Sequence, residues 1–244
     1  FVEIVVLSGD IGRMNTVFKI YLQAWIMLGI SSAVAISRVY ADIKKFNGFW
    51  IYSFQVIIAI LLFSVLMFPM IGTFAKIKDR MTEETPMTLD GMLYMNDARY
   101  YDQNEVLELS LDYKAIQWMQ ENVQGTPVIV EAHVPEYRWS SRFTTYTGLP
   151  AVMGWQWHQI QQRGSAQPNL LPMRIVDVPN FYLTTDTDAA KRFLDRYQVE
   201  FIILGQLERA YYPGLGLQKF ETLEGVLWEE VYEDGLISIY QVID

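Results

Sequence analysis

The fold of this chain is decided first by an uncharged run, residues 46–75, which reads FNGFWIYSFQVIIAILLFSVLMFPMIGTFA. An apolar helix needs about 20 residues to cross the hydrocarbon core of a bilayer, and this run is far longer than a soluble core helix requires. Trp50 and Tyr52 lie near one end as interface anchors, while Pro69 and Gly72 are expected to break or kink the helix at the other end. The run therefore predicts a transmembrane helix.

A second uncharged run, residues 20–37, precedes the first and is long enough to span a bilayer. It contains Gln23, Ser31 and Ser32, and polar groups at membrane depth usually face other helices rather than lipid. We therefore expect this helix to pack within a bundle. The alternative for both runs is a pair of buried helices in a soluble protein.

Charge separates the spans from the rest of the chain. Residues 1–80 carry eight Lys or Arg and four acids, whereas residues 81–244 carry eleven Lys or Arg and 24 acids. The predicted organisation has five parts: a loop or the end of an upstream region (1–16), a transmembrane helix (17–38), a short loop (39–48), a second transmembrane helix (49–75) and a soluble domain (81–244).

The composition of the soluble domain excludes several classes of site. A net charge of −13 over residues 81–244 repels a phosphate polyanion, which excludes nucleic acid as a partner. The chain has no cysteine and only two histidines, His133 and His158, which argues against thiol chemistry and zinc sites. We expect neither a metal nor another cofactor.

Residues 81–244 alternate between helical and strand patterns. A helical pattern over residues 111–123, with Ser110 or Asp112 as the expected N-cap, leads into a short apolar strand over residues 127–132. A second helix, starting at Asp186 or Asp188, leads into the apolar run Val-Glu-Phe-Ile-Ile-Leu-Gly, residues 199–205. Helix followed by buried strand, twice, predicts parallel central strands.

The last strands follow a different pattern. Residues 227–232 and 236–242 flank Glu233-Asp234-Gly235, which is a hairpin signal. The predicted fold class is therefore two transmembrane α-helices followed by an α/β soluble domain with a mixed sheet, parallel at its centre and ending in an antiparallel hairpin.

Charged and aromatic residues follow both predicted parallel strands, where ligands bind in open α/β sheets. Carboxylates, Arg forks and aromatic faces suit a sugar or a phosphate, because Arg matches anionic oxygens and rings cover the apolar face of a sugar. The alternative is that Glu208 and Arg209 form ion pairs with Arg138 or Arg142 that hold the domain together. The candidate ligand-binding residues are Glu131, Tyr137, Arg138, Arg142, Trp155, His158, Arg163, Glu208 and Arg209.

Trp155 and His158 enter this set through their spacing. If residues 155–163 are helical, Trp155, His158, Gln159 and Gln162 lie on one face, which is polar where a core would be apolar. That face lines a cleft, or else Trp155 packs in the core beside hydrogen-bonded Gln neighbours. His158 is a candidate general acid or base, and it has no partner at metal-ligand spacing.

Several stretches together resemble the YYY-type polytopic membrane proteins of green non-sulfur bacteria and archaea. The resemblance runs along nearly the whole chain. It rests on Arg13-Met14-Asn15-Thr16-Val17-Phe18-Lys19, Gln23-Ala24-Trp25, Thr88-Leu89-Asp90-Gly91, Tyr137-Arg138-Trp139-Ser140-Ser141-Arg142, Thr147-Gly148-Leu149-Pro150, Gly154-Trp155-Gln156-Trp157-His158 and Leu204-Gly205-Gln206-Leu207-Glu208-Arg209. It implies that the chain is the C-terminal portion of a longer protein, comprising the last two spans and a soluble domain.

That family is in turn similar in layout to C-type glycosyltransferases. The similarity implies a lipid-phosphate-linked sugar as substrate, an extracytoplasmic soluble domain and a catalytic acid in an external loop upstream of Phe1. The distribution of positive charge favours a cytoplasmic soluble domain instead. Arg38, Lys44 and Lys45 lie in the loop between the spans, and more Lys and Arg residues lie on the other side of the membrane. The resemblance favours the extracytoplasmic placement, and the conflict stays open.

Two other functions are alternatives to that of a membrane glycosyltransferase. The first is a non-catalytic accessory subunit whose helices dock on other membrane subunits, because the chain shows no complete catalytic constellation. The second is a sugar-binding or sensing module that uses the same residues without turnover. The bilayer is a partner in every case.

Overall fold

The computed structural model describes residues 14–80, 86–163 and 170–243. The chain divides into two compact units, Phe1–Arg80 and Met81–Asp244. Each unit is described by itself below.

The first unit consists of two long apolar helices. Helix α1 (Met14–Asp42) leads through a 3₁₀ turn (Ile43–Lys45) to α2 (Gly48–Met67), which begins where the Asn47 side chain accepts a hydrogen bond from the Trp50 amide. The two candidate spans run from Thr16 to Lys45 and from Gly48 to Arg80, and no residue of either apolar window is buried. The two predicted apolar helices are confirmed.

Pro69 does not end the second span. A π-helical turn (Phe68–Gly72) follows α2 and leads directly into α3 (Thr73–Arg80), so the helix continues beyond the predicted end at residue 75. Proline lacks an N–H group and its ring crowds the preceding turn, and a wider turn accommodates both defects without breaking the helix. At Pro69 the helix therefore widens locally and does not break.

The second unit contains short strands and seven helices within the described residues. In chain order they are β1 (Arg99–Asp102), β2 (Glu105–Glu108), α4 (Leu109–Asn122), β3 (Val128–Val130), α5 (Arg142–Thr147), α6 (Gln156–Arg163), α7 (Leu170–Leu183), α8 (Thr187–Tyr197), β4 (Val199–Leu204), α9 (Gln206–Tyr211), α10 (Lys219–Thr222), β5 (Trp228–Asp234) and β6 (Ile237–Val242).

The main sheet is mixed, as predicted. Its order is β3-β4-β6-β5, with β3 parallel to β4 and the other pairs antiparallel. The β5–β6 hairpin turns at Gly235, whose φ of +64° lies in the left-handed region that glycine adopts without steric cost.

Side chains of β4 alternate between two cores. Ile202 and Leu204 pack into a core that includes residues of α7 and α8, whereas Phe201 and Ile203 pack into another that includes residues of α4. A strand buried on both faces reads as a continuous apolar run, and this explains the sequence of β4. Because β3 and β4 are parallel, their carboxyl ends lie at the same edge of the sheet.

Two local features differ from the prediction or were missed. Helix α4 begins at Leu109, with Glu108 at the N-cap position, so neither Ser110 nor Asp112 caps it. Asp112 is instead buried inside the domain. The β1–β2 hairpin was not anticipated; it turns at Gln103 and Asn104, both with positive φ, without the glycine that usually marks such a turn.

Lys219 is a buried base in an aromatic environment. Its Nζ donates hydrogen bonds to the backbone oxygens of Tyr182 and Gly216, both at 2.9 Å, and lies 4.7 Å from the ring centroid of Phe220. Burial lowers the pKa of Lys219 from 10.5 to about 7. The unfolded chain therefore holds a proton at this position over a pH range in which the folded chain releases it.

We expect the free energy of unfolding to rise with pH between about 7 and 10, by up to about 1.4 kcal/mol per pH unit from Lys219 alone. The Lys219→Met variant should lack this contribution. Chemical denaturation of both proteins at several pH values isolates it as the difference between them. Parallel pH profiles for the two proteins would contradict the assignment.

Candidate functional site

A buried cluster of four charged residues lies where β3 and β4 end. The Arg142 guanidinium donates to both carboxylate oxygens of Glu208, at 3.1 and 2.9 Å, and its Nε lies 2.9 Å from Asp112. Glu131, directly after β3, lies 3.7 Å from Arg142 and accepts hydrogen bonds from the amides of Phe143 and Thr144. All four side chains are at most 3% exposed.

The charges of this buried cluster are unequal, because one arginine faces three carboxyl groups. Burial raises the pKa of Asp112 and of Glu131 above their ordinary values, although the charge of Arg142 opposes the rise. Burial would also raise the pKa of Glu208, but the charge of Arg142 and hydrogen bonds from Arg142, Ala132 and Gly205 lower it. Glu208 is therefore the main counter-ion of Arg142.

This cluster connects the two parallel strands. Glu208, in α9 after β4, also accepts a hydrogen bond from the Ala132 amide after β3, at 2.8 Å. Removing one partner of a buried charge pair leaves the other without compensation, so such clusters fix local geometry. Glu131, Arg142 and Glu208 thus lie together, as the sequence suggested, but they contact one another instead of solvent.

The loop between β3 and α5 carries the exposed candidates. Tyr137 and Ser141 have φ values of 63° and 58°, a conformation that residues other than glycine seldom adopt. Such backbone strain persists only where surrounding structure holds it, and it concentrates at functional sites. The buried cluster at the end of this loop supplies that support, because Arg142 follows Ser141 directly.

An aromatic cluster, defined as Tyr137, Trp155 and His158, brings this loop together with α6. Trp155 directly precedes α6, and His158 lies on it. The ring centroids are 5.9 Å apart for Tyr137 and Trp155, 5.8 Å for Tyr137 and His158, and 5.5 Å for Trp155 and His158. Tyr137 Oη lies 3.4 Å from His158 Nε2, and Trp155 Nε1 donates to Ser140 Oγ at 3.1 Å. Tyr137 is 70% exposed, so the cluster offers ring faces and polar edges to a ligand.

Arg138 lies beside a separate cleft of about 530 Å³ at the β1–β2 turn. Its guanidinium donates to buried Asp102 at 3.1 Å, and the hydroxyl of Tyr211 donates to the same carboxylate at 2.9 Å. Since the Arg138 side chain is still 49% exposed, part of its fork can reach an anionic oxygen. The ion-pair partner of Arg138 is thus Asp102, which the sequence analysis did not single out.

The remaining two candidates lie apart from these contacts. Arg163 is the exposed last residue of α6, on the helix that carries His158. Arg209 is exposed on α9, where its Nε donates to the Leu236 carbonyl at 3.4 Å. Among the described residues, no group of three or more His, Cys, Asp or Glu side chains is placed to hold a metal ion.

Three residues that organise the site were missed from sequence. Asp112 accepts a hydrogen bond from Trp139 Nε1 at 2.7 Å and pairs with Arg142, Asp102 holds Arg138, and Ser140 orients Trp155. Their partners are distant in sequence, so no local pattern marks them. For Asp112 the available signal was only an acid inside an otherwise apolar helix face.

Comparison with solved structures gives a structural likeness for part of the chain. The C-terminal globular domain of the oligosaccharyltransferase from Archaeoglobus fulgidus matches with a TM-score of 0.36 and 10% identity, covering 53% of this chain and 95% of that chain. No curated protein matches the chain.

A family model also matches, at the start of the chain. Residues 1–28 match the model described as "Uncharacterized membrane protein (DUF2298)". This match confirms the resemblance to a family of membrane proteins, and the two candidate spans agree with it. The match covers the first 28 of the 244 residues, and the chain has two candidate membrane spans followed by an α/β domain.

Proposed function

We propose that this chain is the C-terminal portion of a polytopic membrane protein of the glycosyltransferase type, whose extracytoplasmic soluble domain covers a sugar or lipid-phosphate site. The observation that carries the proposal is the aromatic cluster. Its three ring centroids lie within 6 Å of one another, and Tyr137 lies on the loop beyond the carboxyl end of β3, with left-handed backbone. Ligands of open α/β sheets bind at such strand ends.

The cluster has the chemistry that a sugar needs. The faces of Tyr137 and Trp155 can cover the apolar face of a pyranose, and the Tyr137 hydroxyl and His158 imidazole can exchange hydrogen bonds with its hydroxyl groups. Arg138 and Arg163 would supply charge for a phosphate. The buried cluster positions the loop, and the catalytic acid of such an enzyme would lie outside these residues.

A non-catalytic accessory subunit is the second candidate. It is favoured by the state of the carboxylates, because Asp112, Glu131 and Glu208 beside the site are all buried and paired with Arg142. A carboxylate held in this way is poorly placed to take a proton from a substrate. This candidate predicts fixed-ratio co-purification with larger membrane subunits and no sugar binding.

The aromatic cluster can be tested by two substitutions of exposed residues, Tyr137→Ala and His158→Ala. Each should weaken binding of a polyprenyl-phosphate-linked hexose by about tenfold, which corresponds to about 1.4 kcal/mol, because a stacking face or a hydrogen bond is lost. Binding is measured by titration calorimetry on the detergent-solubilised full protein that contains this chain.

Tyr232→Ala is the matched control, because it removes a tyrosine from another aromatic pair, with Trp118, whose centroids are 5.5 Å apart. This control should bind the probe like the unmodified protein. Equal binding by all variants would refute the site, whereas no binding by the unmodified protein would refute the function and favour the accessory subunit.

A further inference from the structure

Helices α6 and α7 expose large apolar side chains although they belong to a folded domain. Trp157 and Ile160 lie three residues apart on α6 and share a face, as do Met173 and Val176 on α7. Their exposed fractions run from 37% for Ile160 to 56% for Val176. The two helices contact each other, and we call these four residues together the α6–α7 face. Exposed apolar regions of this kind mark contact surfaces.

The stretch of chain that carries α6 is poor in acidic residues. Glu136 and Asp177 flank it, and the Glu136 carboxylate accepts a hydrogen bond from the Trp157 amide at 3.3 Å. Residues 137–176 contain four arginines and no Asp or Glu, in a domain that carries 24 acids. Arg163 and Arg138 are exposed, whereas Arg142 is buried. This stretch therefore carries positive charge in a domain whose net charge is negative. It would repel an anionic surface less than the rest of the domain does.

The side-chain types suit a lipid surface better than another protein. Trp and Tyr favour the boundary between headgroups and acyl chains, and both are exposed here in Trp157 and Tyr137. Aliphatic and thioether side chains beside them add apolar area, and arginine binds lipid phosphate.

We propose that the α6–α7 face docks on the lipid surface of the bilayer, with Trp157, Ile160, Met173 and Val176 entering the interface and Arg163 at the level of the phosphates. Docking would hold the adjoining aromatic cluster close to the headgroups. The inference rests on the spans and on this face and does not require sugar binding, so either proposal can fail alone.

The absence of cysteine from the chain makes single labels straightforward. Ile160→Cys and Val176→Cys would each carry a nitroxide in the full chain, reconstituted into vesicles of phosphatidylcholine with a minority of phosphatidylglycerol. Val226→Cys is the matched control, because Val226 is 65% exposed on a turn outside α6 and α7. Electron paramagnetic resonance then compares collisions with oxygen, which concentrates in lipid, and with a water-soluble nickel complex.

The expected result is a higher oxygen than nickel collision rate at positions 160 and 176, with the reverse at position 226. Matching near-ultraviolet circular dichroism would show that all three variants are folded. A water-like signature at either labelled helix would overturn the proposal. A label immobilised without preference for oxygen would also overturn it, since that signature indicates a protein contact.

Discussion

Replacing Arg142 with methionine is expected to lower the free energy of unfolding of the soluble domain by about 3–5 kcal/mol. The change removes the cation that lies between Asp112, Glu131 and Glu208, all of them buried. Three carboxyl groups would then be left to take up protons or to draw water into the interior. Urea denaturation of the detergent-solubilised chain, followed by near-ultraviolet circular dichroism, measures the loss.

Arg209→Met provides the control for this experiment, because Arg209 is exposed and makes a single long hydrogen bond to a carbonyl. Arg209→Met should change the free energy of unfolding by no more than about 0.5 kcal/mol. Adding Glu208→Gln to Arg142→Met should recover part of the loss, since one buried carboxylate is removed with its partner. A loss below about 1 kcal/mol for Arg142→Met would show that the cluster does not stabilise the domain.

Gly216→Ala should be the next most destabilising substitution. We expect it to lower the free energy of unfolding by about 3 kcal/mol. A Cβ atom at this position would overlap the Leu183 carbonyl oxygen and would lie 2.5 Å from that of Tyr182. Both are backbone atoms at the end of α7, so no side-chain rotation relieves the overlap. The shift would also disturb Lys219, which donates to the carbonyls of Tyr182 and Gly216.

Gly91→Ala is the matched control, because a Cβ there would meet nothing within 4 Å. Its free energy of unfolding, measured by thermal unfolding followed by circular dichroism, should lie within about 0.5 kcal/mol of the value for the unmodified protein. Equal stability of the two alanine variants would contradict the close approach of α7 to Gly216.

The main elements of the fold could be predicted because their signals are local. The apolar runs of β3 and β4 indicate buried strands, and Glu233-Asp234-Gly235 indicates a hairpin. Of the two expected helix starts, Asp186 and Asp188, it is Asp186 that caps α8, and its side chain accepts hydrogen bonds from the amides of Asp188 and Ala189. Each signal lies within a few residues of the element that it predicts.

The site was less predictable because its contacts are remote in sequence. Arg142 and Glu208 are 66 residues apart, and nothing near Arg142 marks it as a buried residue. The approach of Tyr137 to Trp155 and His158 depends on left-handed backbone at Tyr137, which a tyrosine does not signal. Sequence reasoning could name these residues but not separate the buried charges from the exposed rings.

The order of strands in the main sheet has a consequence for biosynthesis. Strand β6 lies between β4 and β5 yet is made after both, so the edge of β4 has no partner until residues 237–242 emerge from the ribosome. At about 5–20 residues per second, this interval lasts on the order of seconds. During it the sequence Phe-Ile-Ile-Leu of residues 201–204 is an open apolar edge, which is prone to aggregation. The nascent domain is therefore expected to need a chaperone until β6 is made.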